Sequence, residues 1–127
     1  MRTAVGTGPA GQRILVCDDS RAVVNLLKRT LESDGNSVVG VYDGSAVIQC
    51  LDKAFVQSGR LPFDQVIVDL GMPVTDGYEV VKWIRRHDPS RSVNILLMVD
   101  DNFACDLYEQ AEHRPDAFLL KGQLQLA

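Results

Sequence analysis

No run of about 18 apolar residues occurs in the 127-residue chain, and its first residues, MRTAVGTGPAGQ, carry no apolar signal core. Neither a membrane span nor a secretory signal is expected, so membrane insertion is excluded on this reading. Cysteine is sparse: Cys17, Cys50 and Cys105 lie far apart, form no CxxC pair and are odd in number. That argues against a disulfide framework and for small buried side chains in a reducing, cytoplasmic compartment. Histidine is limited to His87 and His113, expected at the surface on or beside helices. Positive charge is not in excess either. Thirteen Lys and Arg stand against 17 Asp and Glu for a net charge of -4, so binding a nucleic-acid backbone or an anionic bilayer would oppose the protein's own field. A Gly-rich phosphate loop, a Ser/His/Asp set, a D-x-D run after a strand, internal repeats and low-complexity tracts are all missing. Phosphatase, P-loop and flavodoxin-type cofactor chemistry are thereby disfavoured.

What is present suffices for one domain. The length falls below the ~150 residues of a typical domain, and 46% hydrophobic with 24% charged residues are ordinary globular proportions. Residues 1–12 lack an apolar period and read as a leader or linker, with the folded domain over 13–127. Five short apolar runs follow: Ile14–Cys17, Val38–Val41, Val66–Val68, Ile95–Val99 and Ala117–Leu120. They do not alternate with polar residues, as expected of strands covered on both faces. Helical spacing between them predicts helices over Ser20–Ser33, Ser45–Phe55, Tyr78–Arg86 and, with weaker patterning, Asn102–His113. Trp83, spaced helically from Val80, is expected to pack. Strands alternating with helices imply βαβ units with right-handed crossovers, hence an α/β fold with a doubly wound five-stranded parallel sheet.

Ligands of open parallel sheets sit beyond the carboxyl ends of the strands, so the residues after each run matter most. Asp18 and Asp19 follow the first run, and Asp69 ends the third. Three carboxylates at one rim repel unless a cation neutralises them, and a hard divalent ion held by oxygens, Mg2+ above all, meets that need. Each part also has a plainer reading. Asp18-Asp19-Ser20 is good helix-capping sequence, and an acid after a strand is often a loop residue. The surrounding residues shift the balance: Asp69-Leu70-Gly71-Met72-Pro73-Val74-Thr75-Asp76-Gly77, and Lys121 directly after the fifth run. One cation beside three acids outlines a phosphoryl site, because metal and ammonium together remove the repulsion between an anionic nucleophile and an anionic phosphoryl group. Met72-Pro73 and Asp76-Gly77 are expected to shape the loop into the next helix.

The acidic pair, the D-x-x-M-P-x-x-D-G run from Asp69 to Gly77 and the Lys after the fifth strand together resemble the receiver domain of two-component response regulators, over Arg13 to about Gly122. The resemblance implies a flavodoxin-like strand order of 2-1-3-4-5 and a phosphorelay role. Asp69 would be the phosphoacceptor, and Asp18, Asp19, Asp69 and the carbonyl of Gly71 the Mg2+ ligands. Lys121 would partner a phosphoryl oxygen, and Phe118 would stand at the aromatic switch position. A histidine kinase or histidine phosphotransfer domain is implied as phosphoryl donor, and a dimer through the fourth helix and fifth strand. The isolated domain would catalyse only its own phosphorylation and dephosphorylation. Gly59-Arg60-Leu61-Pro62-Phe63-Asp64 resembles the receivers attached to hybrid histidine kinases.

The chain also departs from that pattern. The family's Ser or Thr at the end of the fourth strand falls on Val99, which has no hydroxyl. Asp100 and Asp101 follow where small residues are commoner, and Gly122 replaces a Pro. Only Gly122 to Ala127 follow Lys121, so the fifth helix is expected to be short or absent, the domain cut before or within it, and part of one sheet face exposed as an apolar patch. Two functions stay open: a competent phosphoacceptor, and an interaction module that kept the acidic pocket without the switch.

Overall fold

The computed structural model describes residues 11–124. The expected leader lies outside the described residues except for Gly11 and Gln12, which are hydrogen-bonded: Gly11 N–H donates to the Gly35 carbonyl at 3.0 Å, and Ser37 N–H to the Gln12 carbonyl at 2.9 Å. Strands β1 (Arg13–Cys17), β2 (Ser37–Val41), β3 (Gln65–Asp69), β4 (Asn94–Val99) and β5 (Ala117–Leu120) alternate with helices α1 (Arg21–Ser33), α2 (Gly44–Ser58), α3 (Gly77–His87) and α4 (Asn102–Glu109). The sheet is wholly parallel in the order β2-β1-β3-β4-β5, a flavodoxin-like arrangement. All five expected strands are there. After β5 the chain makes one 3-10 turn over Lys121–Gln123, and no fifth α-helix occurs among the described residues.

The two faces of the sheet divide the apolar residues by strand alternation. Leu15, Val66, Ile95, Leu97, Val99 and Phe118 pack with α2, α3 and α4. Ile14, Val16, Ile67, Leu96, Met98 and Leu119 face the other way, with α1 supplying Val23, Val24, Leu27 and Leu31. Among the described residues this second face shows no exposed apolar patch of the kind expected: Leu96, Met98 and Leu119 are each at most 2% exposed, with Leu124 packed against the same cluster.

Each helix begins with a side-chain cap just beyond the carboxyl end of a strand. Ser20, Asp43, Asp76 and Asp101 accept from the amides of Val23, Ala46, Glu79 and Ala104, each worth about 1 kcal/mol. Capping thus explains part of the acidity on this edge of the sheet. α4 ends at Glu109, short of the expected His113. Cys105 is its one buried residue, the position seven residues later is Glu112, and Pro115 biases Arg114 away from helical backbone. His87 also differs from expectation. It is half-buried, stacked on Trp83 at 3.9 Å between ring centroids and edge-on to Phe55 at 5.5 Å.

Candidate functional site

The strand order reverses between β1 and β3, and at such a switch point the flanking loops diverge and leave a crevice. Asp18 follows β1 and Asp69 ends β3, so both carboxylates enter this crevice from adjacent strands. Asp18 is fully buried and Asp69 nearly so, while Asp19 is exposed at the mouth. One carboxylate oxygen from each of Asp18, Asp19 and Asp69 lies within 4.8 Å of the others. Lys121, carried by the turn after β5, places Nζ 2.9 Å from Asp18 Oδ2 and 3.4 Å from Asp69 Oδ2.

Backbone amides fix the acids. Ser20 N–H donates to Asp18 Oδ1 at 2.8 Å, and Gly71 N–H to Asp69 Oδ1 at 3.3 Å. Beneath them, the Cys17 thiol touches Met72 Sδ at 3.1 Å, which anchors the loop after β3. That loop closes on Gly77, where an added Cβ would strike the Asp69 carbonyl, and a Cβ on Gly44 would strike that of Thr75. Only glycine permits these approaches. Between them Thr75 N–H bonds back to the Pro73 carbonyl at 2.8 Å, and Val74 takes a φ of +66° with its side chain fully exposed.

Burial, and then the charge of Asp18, raise the Asp69 carboxyl above its ordinary range; Lys121 and the Gly71 amide offset part of that. For Lys121 burial alone would favour the neutral amine, but its contact with Asp18 and the charge of Asp69 outweigh it and keep the ammonium charged. Asp18 Oδ2 is buried, with the Lys121 ammonium at 2.9 Å as its partner. Three carboxylates gathered within 4.8 Å against a single ammonium make an all-oxygen donor set with surplus negative charge, which fits a hard divalent cation. Burial likewise drives the Cys17 thiol strongly upward, with Asp18 and other acids adding to it, so the neutral thiol is a packing group.

The residues singled out from the sequence are therefore gathered in one place: Asp18, Asp19, Asp69, Lys121 and the backbone of Gly71. Val99 ends β4 opposite Leu120 and Phe118 pairs with Leu97; both are 1% exposed. Asp101 caps α4 and Asp100 is exposed. The sequence did not reveal the Cys17–Met72 contact or the strained turn at Val74, since each depends on how distant segments meet.

The sequence profile of the response regulator receiver domain matches residues 14–124. The chain belongs to the response-regulator receiver family. Two-component response regulator ARR3 of Arabidopsis thaliana is 30% identical over 112 residues, covering 85% of this chain and 48% of that protein. Histidine kinase CKI1 of the same plant is 31% identical over 127 residues, 92% of this chain and 11% of the kinase. The alkaline phosphatase synthesis transcriptional regulatory protein PhoP of Bacillus subtilis is 32% identical, with 72% and 35% covered. The chain spans less than half the length of each of these relatives. Among solved structures, the receiver domain of CKI1, complexed with Mg2+, superimposes with a TM-score of 0.76 at 27% identity, covering 93% of this chain and 88% of that one. Chemotaxis response regulator CheY4 of Vibrio cholerae gives 0.69 at 25% identity, covering 88% of each. Receiver domains of this family work in two-component signalling, and no helix among the described residues is long and apolar enough to cross a membrane.

Proposed function

We propose that this receiver accepts a phosphoryl group on Asp69 from a phosphohistidine of a histidine kinase or phosphotransfer domain. The observation that carries this reading is the burial of Asp69 between a second carboxylate and an ammonium ion. An oxygen of Asp69 attacks phosphorus, the O–P bond forms, and the P–N bond breaks with its electron pair returning to the imidazole. Asp18, Asp19, Asp69 and the Gly71 carbonyl would hold Mg2+, which supplies charge neutralisation between nucleophile and phosphoryl group. Lys121 stands ready to meet a second phosphoryl oxygen, and the Gly71 amide orients the Asp69 carboxylate. Positioned charges of this kind are each worth about 10²–10³ in rate. The isolated domain would turn over nothing but its own acyl phosphate. The three free cysteines agree with a cytoplasmic, reducing setting. Incubation with a small phosphodonor and Mg2+ should add the mass of one phosphoryl group to the wild type and none to Asp69→Asn. A mass gain that survives Asp69→Asn, or none with any donor, overturns the assignment.

A second reading is favoured by Val99. With no hydroxyl at the end of β4 and Phe118 already buried, phosphorylation has no side-chain donor there through which to move β4 and β5. The domain would then regulate a partner by contact. Beryllofluoride with Mg2+ should shift amide resonances at the acid rim and leave those of β5 in place; large shifts at Phe118 would rule out this reading.

A further inference from the structure

At the edge of the sheet opposite the acid rim, where α3 ends and β4 and β5 begin, Arg85, Asp88, Arg91, Glu112, His113 and Arg114 line a cavity of about 260 Å³. Sites for larger organic ligands begin at about 300 Å³, so this one suits a small ion or group. The Arg85 guanidinium is its buried member, with the side chain only 5% exposed. Nε donates to the Arg114 carbonyl at 2.8 Å and Nη2 to Asp116 Oδ2 at 3.0 Å. Nη1 is buried and finds no acceptor among the described residues. A buried donor of a charged group left without an acceptor is costly.

Two acids here are already matched by the protein's own donors. Asp88 accepts from Ser90 Oγ at 3.3 Å, Ser92 Oγ at 2.8 Å and Val93 N–H at 2.9 Å. Asp116 Oδ2 accepts from Ile95 N–H at 2.7 Å besides Arg85. Among the lining acids that leaves the exposed Glu112 against three guanidinium groups, and the His113 imidazole adds a further donor. Arg91 is held at a left-handed φ of +56°, in a turn closed by its N–H donating to the Asp88 carbonyl at 3.0 Å. Such backbone is costly for a residue with a Cβ and recurs at ligand clamps.

We infer that this cavity holds a phosphate group, carried by inorganic phosphate or by a small phosphate monoester. The planar fork of Arg matches the oxygens of a tetrahedral oxyanion, and three guanidinium groups offset the charge of a dianion. A phosphate seated against Arg85 supplies the acceptor that Nη1 lacks. The cavity lies at the amino ends of β4 and β5, whereas Asp69 and Lys121 stand at the carboxyl ends of β3 and β5. The inference therefore does not depend on Asp69 accepting a phosphoryl group.

The test titrates the isotope-labelled full chain in EDTA with inorganic phosphate and, separately, with glycerol phosphate, using sodium chloride as the ionic-strength control. Arg85 Nε–H and the amides of 90–93 and 112–114 should shift saturably with phosphate, glycerol phosphate or both, and not with chloride; the tighter of the two identifies the natural source. Arg91→Gly removes a guanidinium while glycine suits the turn, and it should weaken binding with the fold intact. Combined with Arg114→Gln it should weaken binding by about tenfold or more, the worth of one hydrogen bond to a charged group, with thermal unfolding as cooperative as in the wild type. Asp69→Asn should bind phosphate as the wild type does. Shifts no larger than those with chloride, shifts confined to the Asp18 and Asp69 rim, or affinity unchanged in both Arg variants would overturn the inference.

Discussion

The Lys121 ammonium lies closer to Asp18 than to the nucleophile candidate Asp69, 2.9 Å against 3.4 Å. Lys121 thus serves as the internal counter-ion of a fully buried carboxylate, and a divalent ion held by this pocket would share those oxygens with it.

Lys121→Met should therefore act in two directions. Without divalent ions, loss of the cation strands Asp18 and Asp69, and unfolding stability should fall by about 3–5 kcal/mol. Mg2+ no longer competes with an ammonium and should bind about tenfold tighter, about 1.4 kcal/mol. Denaturation in EDTA and calorimetric Mg2+ titration measure the two effects; stability and affinity both unchanged would show that Lys121 is not the counter-ion.

Asp88 makes a separate prediction about acid. It is 8% exposed and accepts from Val93 N–H at 2.9 Å and from Ser92 Oγ at 2.8 Å. Burial pushes its pKa up, but these hydrogen bonds outweigh it and leave the pKa below the ordinary 3.8. Its stabilisation is present in full above pH 3.8 and lost as pH falls through the lower folded value. Asp88→Ala should cost about 2–3 kcal/mol at neutral pH by stranding the Val93 amide, and the gap to wild type should narrow on acidification below pH 3.8. A gap that is flat with pH would contradict this.

Val74 holds a left-handed φ of +66° with its side chain in solvent, so relief of strain should cost no packing. Such backbone costs about 1–2 kcal/mol for a residue with Cβ, partly offset by the greater freedom of unfolded glycine. Val74→Gly should thus stabilise by about 0.5–1 kcal/mol. Thermal unfolding checks it, and a lower Tm would mean that the turn is not strained.

Val99→Thr exchanges a methyl for a hydroxyl at a site 1% exposed. It should lower stability by about 1–2 kcal/mol, and beryllofluoride should then shift resonances of β4 and Phe118 more than it does in the wild type. Equal shifts in variant and wild type would show that more than this hydroxyl decides the response.

The strands were legible because Ile14–Cys17, Val66–Val68 and their like are continuous apolar runs, which only a doubly covered sheet can bury. Asp18, Asp69 and Lys121 were legible because a parallel sheet delivers the residue after each strand to one edge. Where burial is weak, reading failed: α4 buries only Cys105, with Ala104 and Tyr108 partly packed, so its apolar spacing could not mark its end. The second sheet face also escaped, since counting helices missed that Leu124 packs on the α1 cluster. The burial of Asp18 against the exposure of Asp19 could not be read either, because two adjacent acids look alike until the chain bends between them.

The place of β1 between β2 and β3 bears on how the protein matures. A nascent chain that has folded β1, α1 and β2 already owns Asp18 and Asp19, yet it has no pocket until β3 docks on the far side of β1 and β5 brings Lys121 across. Such long-range closures are slow steps in folding. A divalent ion held by this pocket rewards only the finished arrangement, so free Mg2+ should raise the population of complete domains by mass action without assisting their early half.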